Sequence, residues 1–161
     1  MLKNPSHLFA LGALLRVYPD ALVIQTHRAP RTAIASVCSL AAQASGGWST
    51  VFTGAVIGRD QLELWARGLE CFTAVRARHD PARFYDVSYD EFVKHPVETV
   101  AAIYAHFGLT LSAAARDAMR ALSARGAPAP ARPAHRYALS DFGLTGDQVD
   151  ERFGFLSASR G

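Results

Sequence analysis

The chain has 161 residues, of which 50% are hydrophobic and 19% charged, a profile typical of a globular domain that excludes a disordered or fibrous protein. This length supports one hydrophobic core. The 17 Lys and Arg residues and 14 Asp and Glu residues leave a net charge of +3, and the arginines are scattered along the chain. We therefore expect no nucleic-acid partner, whereas small anionic ligands suit this charge balance.

Cysteine and histidine usage narrows the class of protein further. Cys38 and Cys71 each lie in an apolar pattern typical of a buried helix, so we expect free core thiols and a reducing, cytoplasmic setting. The six histidines stand singly, and no metal site is predicted. The apolar run over residues 8–15 is closed by Arg16 and is too short to span a bilayer, so neither a secretory signal nor membrane insertion is expected.

The first half of the chain predicts a helix, a strand and two more helices. Apolar residues at helical spacing predict a helix over residues 8–17 with Ser6 as its N-cap. The continuous β-favouring run Ala21–Gln25 predicts a strand buried on both faces of a parallel sheet. Pro30 begins the next predicted helix, which runs through Leu40. A longer helix follows, with an apolar face made of Leu62, Trp65, Leu69, Phe72 and Val75.

The second half continues the alternation of strands and helices. Residues 83–89 predict a second strand, and a helix begins at Pro96 and ends at Gly108. A further amphipathic helix is expected from Ser112 to about Ala124. This order of elements predicts an α/β fold with a parallel sheet and flanking helices.

The composition of the sequence divides the chain into three predicted segments. Residues 1–126 form the predicted α/β domain. Residues 127–134 are rich in proline and alanine and predict a stiff linker of polyproline conformation. The tail over residues 135–161 regains aromatic and aliphatic residues, and we expect it to dock on the domain.

A candidate phosphate site follows the first predicted strand. Ligands of open α/β sheets bind beyond the carboxyl ends of the strands, and Arg28 stands at that point. Its guanidinium offers a planar set of donors to phosphate oxygens, and the helix that begins at Pro30 directs free N–H groups the same way. Ser36 adds a hydroxyl donor.

Several motifs in the same order resemble the PAPS-dependent sulfotransferase family, in particular its bacterial-type branch. They are LKNPSHL over residues 2–8, YPDA over 18–21, THRAP over 26–30, YDVSYDEF over 85–92 and the tail over 135–144. The resemblance implies a P-loop-nucleotide-hydrolase-like parallel sheet with flanking helices. It also implies that Arg28 and Ser36, eight residues apart, hold the 3′-phosphate of PAPS.

Other site residues are implied by position in the same motifs. Lys3 matches a lysine that steadies charge on the departing nucleotide, with a frayed terminal lysine as the alternative. His7 is the candidate general base, and a role in capping or packing the first helix stays open. Tyr89 is the candidate adenine contact, or else a core aromatic at a strand end. Arg132 of the linker and His135 and Arg136 of the tail are further candidate contacts to the 3′-phosphate, in place of a basic motif of the family that this sequence lacks in its usual form.

One element of the family has no counterpart in residues 1–161. The family's glycine-rich strand-to-helix loop, which cradles the 5′-phosphosulfate, precedes all of the matching motifs. The resemblance therefore implies the C-terminal part of the family, an incomplete sheet that lacks the first strand and the phosphate loop. An exposed sheet edge would follow, with marginal stability or self-association as its consequence.

The function implied by the resemblance is transfer of a sulfuryl group from PAPS, without a metal, to a hydroxyl or amine of a small-molecule, glycan or lipid acceptor. The alternative is a truncated, non-catalytic nucleotide-binding or interaction module. A phosphotransferase of the nucleotide-kinase type is a third hypothesis, but it also requires the glycine-rich loop.

Overall fold

A computed structural model of the protein describes residues 1–125 and 137–158. The helices and strands in chain order are α1 Leu11–Val17, β1 Val23–His27, α2 Pro30–Ser45, α3 Gly54–Arg76, β2 Phe84–Ser88, α4 Tyr89–Lys94, α5 Pro96–His106, α6 Ala113–Ala124, α7 Gly146–Arg152 and α8 Phe155–Ala158. Short 3-10 helices cover Pro5–Phe9, Pro81–Arg83 and Leu139–Phe142. The predicted linker over residues 127–134 lies outside the described residues. Among the described residues we find no candidate membrane-spanning helix.

The two strands pair in parallel, with a register that runs from Val23 opposite Phe84 to His27 opposite Ser88. Helices α2 and α3 lie between them in the chain, as a parallel connection requires. The predicted α/β class with a parallel sheet is confirmed.

The prediction that β1 is buried on both faces is wrong. Its residues alternate between half-buried and exposed, and Ile24 is 47% exposed, as is Leu22 immediately before the strand. In the described residues β1 has one hydrogen-bonded neighbour, β2, so it is an edge strand with one face open to solvent. The strand also ends two residues later than predicted, at His27.

Two predicted helix caps have different outcomes. Ser6 is not the N-cap of the first helical segment, because the side chain of Asn4 accepts the hydrogen bond of the Ser6 amide at 2.9 Å. Pro5 then occupies the first helical position, where its missing N–H costs nothing. The second cap is confirmed: Gly108 follows α5 with a φ of 65°, a conformation that glycine adopts without strain.

The chain divides into two compact units, which are described separately. The described part of unit 1 comprises residues 1–14, 29–75 and 137–158. Its buried cluster combines α2 and α3 with the tail and consists of Ile34, Cys38, Ile57, Ala66, Phe142, Leu144, Val149 and Phe153. The tail therefore contributes part of the core of this unit.

The prediction of two core cysteines holds only in part in unit 1. Cys38 is fully buried, as predicted, and burial raises the pKa of its thiol to about 11. Cys71 is exposed, so the prediction of a second core thiol is wrong. Cys38 lies on the buried face of α2 together with Ile34 and Ala35, whereas Leu40 of the same helix is exposed.

Charged side chains reinforce the docking of the tail in unit 1. The Arg31 Nε donates to the two carboxylate oxygens of Asp150 at 3.0 and 3.1 Å. Arg152 donates to Glu63 at 2.8 Å and to Glu70 at 2.5 Å. These pairs join α7 to α2 and α3 across the apolar cluster.

The described part of unit 2 comprises residues 15–28 and 76–125 and contains the sheet. Phe84 and Val87 of β2 are buried, and Tyr85 packs edge-on against His106 of α5 with ring centroids 5.0 Å apart. The second predicted strand is confirmed but is one residue shorter at each end, since Arg83 belongs to the preceding 3-10 helix. Tyr89 begins α4 instead, because the Ser88 hydroxyl accepts the Glu91 amide at 3.4 Å and caps that helix.

Candidate nucleotide-phosphate site

Arg28 and Tyr89 meet at the carboxyl ends of the two parallel strands in unit 2. Arg28 directly follows β1, and Tyr89 directly follows β2. The guanidinium carbon of Arg28 lies 4.6 Å from the centroid of the Tyr89 ring, and Tyr89 is 41% exposed. This is the geometry of a cation–π contact. The structure thus brings together two of the residues that the sequence predicts for the site.

The charge of Arg28 is not neutralised by the described residues of unit 2. No carboxylate among the described residues of that unit pairs with it. Arg76, in the same unit, does have a carboxylate partner, since a guanidinium nitrogen of Arg76 lies 2.6 Å from a carboxylate oxygen of Asp86. Arg28 therefore keeps five N–H donors and a full positive charge for an external anion.

Ser36 lies on α2 in unit 1 and is half-buried. Its hydroxyl has no hydrogen-bond partner among the described residues of that unit. Helix α2 begins with Pro30, its N-cap residue Ala29 makes no side-chain cap, and the first turn contains no acidic residue. The positive end of the helix dipole is therefore uncompensated at this end.

Lys3 and His7 lie at the start of unit 1. Lys3 is exposed and forms no ion pair with the described residues of that unit, and His7 is half-buried in the first 3-10 helix. Phe9 anchors the same 3-10 helix, since its ring lies 5.9 Å from the ring of Trp65 on α3. The remaining predicted residues, Arg132, His135 and Arg136, lie outside the described residues.

Beside Arg28 is a polar network that the sequence reasoning missed. Asp86 accepts two hydrogen bonds from Arg76, at 2.7 and 2.6 Å, and a third from His27 Nε2 at 2.6 Å. Arg76 also donates to the side-chain oxygen of Gln25 at 2.8 Å. The sequence did carry a signal for this network, because each of the two predicted strands contains a polar residue. The register places these two residues, Gln25 and Asp86, opposite each other. We call these four residues the Asp86 network.

The network shifts the acidity of its carboxyl group. The hydrogen bonds from Arg76, with a smaller contribution from His27, lower the pKa of Asp86 from 3.8 to about 2. Partial burial acts in the opposite direction but is outweighed. Asp86 is therefore ionised throughout the physiological pH range, which keeps it an acceptor for both cationic partners.

We expect Asp86 to stabilise the fold at neutral pH and to lose this effect in acid. Its pKa is lower in the folded protein than in the unfolded chain, so its contribution is present above pH 3.8 and is lost as the pH falls toward 2. With allowance for solvent screening of a half-exposed group, Asp86→Asn should reduce the free energy of unfolding by about 1 kcal/mol at pH 7. Urea unfolding at several pH values measures this. Asp117→Asn is the control, and a deficit that persists unchanged at pH 2 would contradict the assignment.

A separate open cavity of about 850 Å³ lies in unit 1 between α3 and the tail. Apolar side chains such as Leu62 and Phe155 line it together with charged ones such as Glu151 and Arg152. Among the described residues that the sequence predicts for the phosphate site, none lines this cavity. Within the described residues there is also no group of three or more His, Cys, Asp or Glu side chains arranged to hold a metal ion.

The sequence pattern of the Sulfotransferase family matches residues 1–113. The chain belongs to the sulfotransferase family. The family predicted from the motifs is thereby confirmed, and the match includes β1, β2 and the Arg28–Tyr89 pair of this sulfotransferase chain. No curated protein matches the chain.

Two solved structures resemble this sulfotransferase chain closely. The crystal structure of sulfotransferase STF1 from Mycobacterium tuberculosis H37Rv is 54% identical with a TM-score of 0.82, and the match covers 96% of this chain and 39% of that one. The crystal structure of sulfotransferase STF9 from Mycobacterium avium is 27% identical with a TM-score of 0.85, covering 98% of this chain and 41% of that one. These matches confirm the predicted fold class. The chain spans about two fifths of the length of either structure.

Proposed function

We propose that the protein transfers a sulfuryl group from PAPS to a hydroxyl or amine group of an acceptor. Membership of the sulfotransferase family supports sulfuryl transfer. The observation that carries the choice of donor is the guanidinium of Arg28, which lies over Tyr89 at the carboxyl end of the sheet and has no carboxylate partner among the described residues of unit 2. An anionic nucleotide is the ligand that this arrangement favours.

Within unit 2, the guanidinium of Arg28 and the exposed part of the Tyr89 ring fit a phosphorylated nucleotide. Arg28 would donate two charge-assisted hydrogen bonds to phosphate oxygens. The Ser36 hydroxyl has no hydrogen-bond partner among the described residues of unit 1 and would donate another, as the family resemblance implies. The exposed part of the Tyr89 ring would contact the adenine. When bound, PAPS supplies the activated sulfuryl group.

Two further side chains of the chain have proposed roles in the chemistry. The Lys3 ammonium would stabilise negative charge that develops on the departing nucleotide, an effect that lowers the barrier because it is strongest in the transition state. The His7 imidazole would accept the proton of the acceptor hydroxyl or amine. Neither role needs a metal ion.

Transfer of radioactive sulfate from labelled PAPS tests this function. We expect transfer by the intact protein to at least one acceptor class among carbohydrates, lipids, peptides and aromatic alcohols. Lys3→Ala should lower kcat about 30-fold with little change in the affinity for 3′,5′-ADP, because its role is confined to the transition state.

The matched control is Lys94→Ala, since Lys94 is an exposed lysine that pairs only with Glu91 on the same helix among the described residues. Its kcat should equal that of the parent. A protein that binds no 3′,5′-ADP and transfers no label to any of these acceptors would contradict the proposed function.

A further inference from the structure

His27, the last residue of β1, is hydrogen-bonded on one face of the sheet. The next residue, Arg28, is the proposed phosphate ligand. Side chains of a strand alternate between faces, so Gln25 and His27 share the face on which Asp86 lies. Arg28 comes one residue beyond the final register pair, His27 with Ser88. The regular β1–β2 register therefore stops immediately before the residue whose position matters most.

The Asp86 network supplies side-chain links at this point. Both oxygens of Asp86 are used, one by Arg76 alone and one by Arg76 and His27 together. The His27 and Arg76 side chains are 26% and 27% exposed, so water competes with these bonds only in part. Charge-assisted hydrogen bonds of this kind are stronger than neutral ones and restrict geometry.

The network also links the two strands at a place where it can fix the position of Arg28. The His27–Asp86 bond joins the end of β1 to the middle of β2, because Asp86 stands opposite Gln25 in the register. Loss of that bond would free the end of β1 to rotate and shift Arg28 relative to Tyr89. A shift of about 1 Å is enough to misalign the bidentate hydrogen bonds of a guanidinium with phosphate oxygens.

We propose that Asp86, acting through His27, is a positioning residue for Arg28 and thereby sets the preference of the site for nucleotides with a 3′-phosphate. This proposal rests on the proposed function. Asp86 and His27 do not contact the nucleotide in this scheme; they hold the strand end from which Arg28 reaches it.

The measurement is selectivity, taken as the ratio of the dissociation constants of 5′-AMP and 3′,5′-ADP for the intact protein by calorimetry. We expect Asp86→Asn and His27→Ala each to lower this ratio about tenfold through weaker binding of 3′,5′-ADP, with 5′-AMP binding unchanged. His27→Gln, whose amide can still donate to Asp86, should keep most of the selectivity. Asp117→Asn, which removes the same charge from α6, should keep all of it.

A double-mutant cycle separates positioning from general destabilisation. In the Arg28→Ala background, Asp86→Asn should cause no further loss of selectivity, because the group that it positions is absent. General loosening of the fold would weaken both nucleotides alike. His27→Ala provides the same test should Asp86→Asn fail to fold.

The outcomes for the two proposals are distinguishable. Retained selectivity in both Asp86→Asn and His27→Ala, with selectivity lost in Arg28→Ala, would overturn the positioning role and leave the proposed function intact. A parent protein that does not prefer 3′,5′-ADP over 5′-AMP would overturn both.

Discussion

Arg28→Ala is expected to weaken the binding of 3′,5′-ADP about 100-fold, a loss of about 2.7 kcal/mol. The guanidinium has no carboxylate partner among the described residues of its own unit, so its removal deletes a ligand contact and leaves no protein charge unpaired there. A hydrogen-bonded charge pair in a binding site is worth this much when one partner is truncated. Titration calorimetry on the intact protein provides the measurement.

Two comparisons sharpen the Arg28 experiment. Arg28→Lys keeps the charge but loses the planar pair of donors and the stacking on Tyr89, so we expect a loss of about tenfold. Arg120→Ala removes an exposed arginine of α6 that pairs with Asp117, and its affinity for 3′,5′-ADP should match that of the parent. Equal affinities for Arg28→Ala and the parent would show that the phosphate binds elsewhere.

Gly58→Ala is expected to destabilise unit 1 by about 3 kcal/mol. Gly58 is buried on α3, where an added Cβ would overlap the backbone carbonyl of Phe142 in the 3-10 helix that begins the described tail. Backbone atoms cannot rotate away as a side chain can, so the tail must shift from its position against α3. The higher helix propensity of alanine offsets part of this loss, by at most about 1 kcal/mol. Urea unfolding gives the free energy directly.

The matched control is Gly68→Ala on the same helix. There the added Cβ would meet the ring of Phe9, a side chain that can turn aside. We expect a loss of about 1 kcal/mol, since repacking one aromatic ring costs less than moving a backbone segment. If both variants lost the same free energy of unfolding, the close approach of the Phe142 carbonyl would not be the cause.

Local signals were read correctly from the sequence because their physical cause is local. Pro30 begins α2 because a missing N–H is harmless at the first helical position, and Gly108 ends α5 because glycine alone adopts a positive φ without strain. The helix expected from Ser112 begins one residue later, at Ala113, and the Ser112 hydroxyl caps it by accepting the Ala115 amide at 3.2 Å. Each of these interactions spans only a few residues.

Predictions about burial were weaker because burial depends on what packs from far along the chain. A continuous apolar run favours a strand that is covered on both faces, yet Ile24 is exposed on an edge strand. The helical pattern around Cys71 resembles that around Cys38, although only Cys38 is buried. Apolar periodicity identifies a face, but the neighbour of that face is decided by tertiary contacts.

By itself the sequence determined the family, the α/β order of elements and the position of Arg28 after a parallel strand, because these follow from local motifs and from the topology that they imply. Its assignment of the phosphate ligand to Arg28 stays a prediction. Only the tertiary structure placed Arg28 over Tyr89. It also joined Asp86 to His27, 59 residues away in the chain, and to Arg76, 10 residues away. Side-chain hydrogen bonds of this kind act over about 3 Å, so they exist only once folding has brought distant segments together.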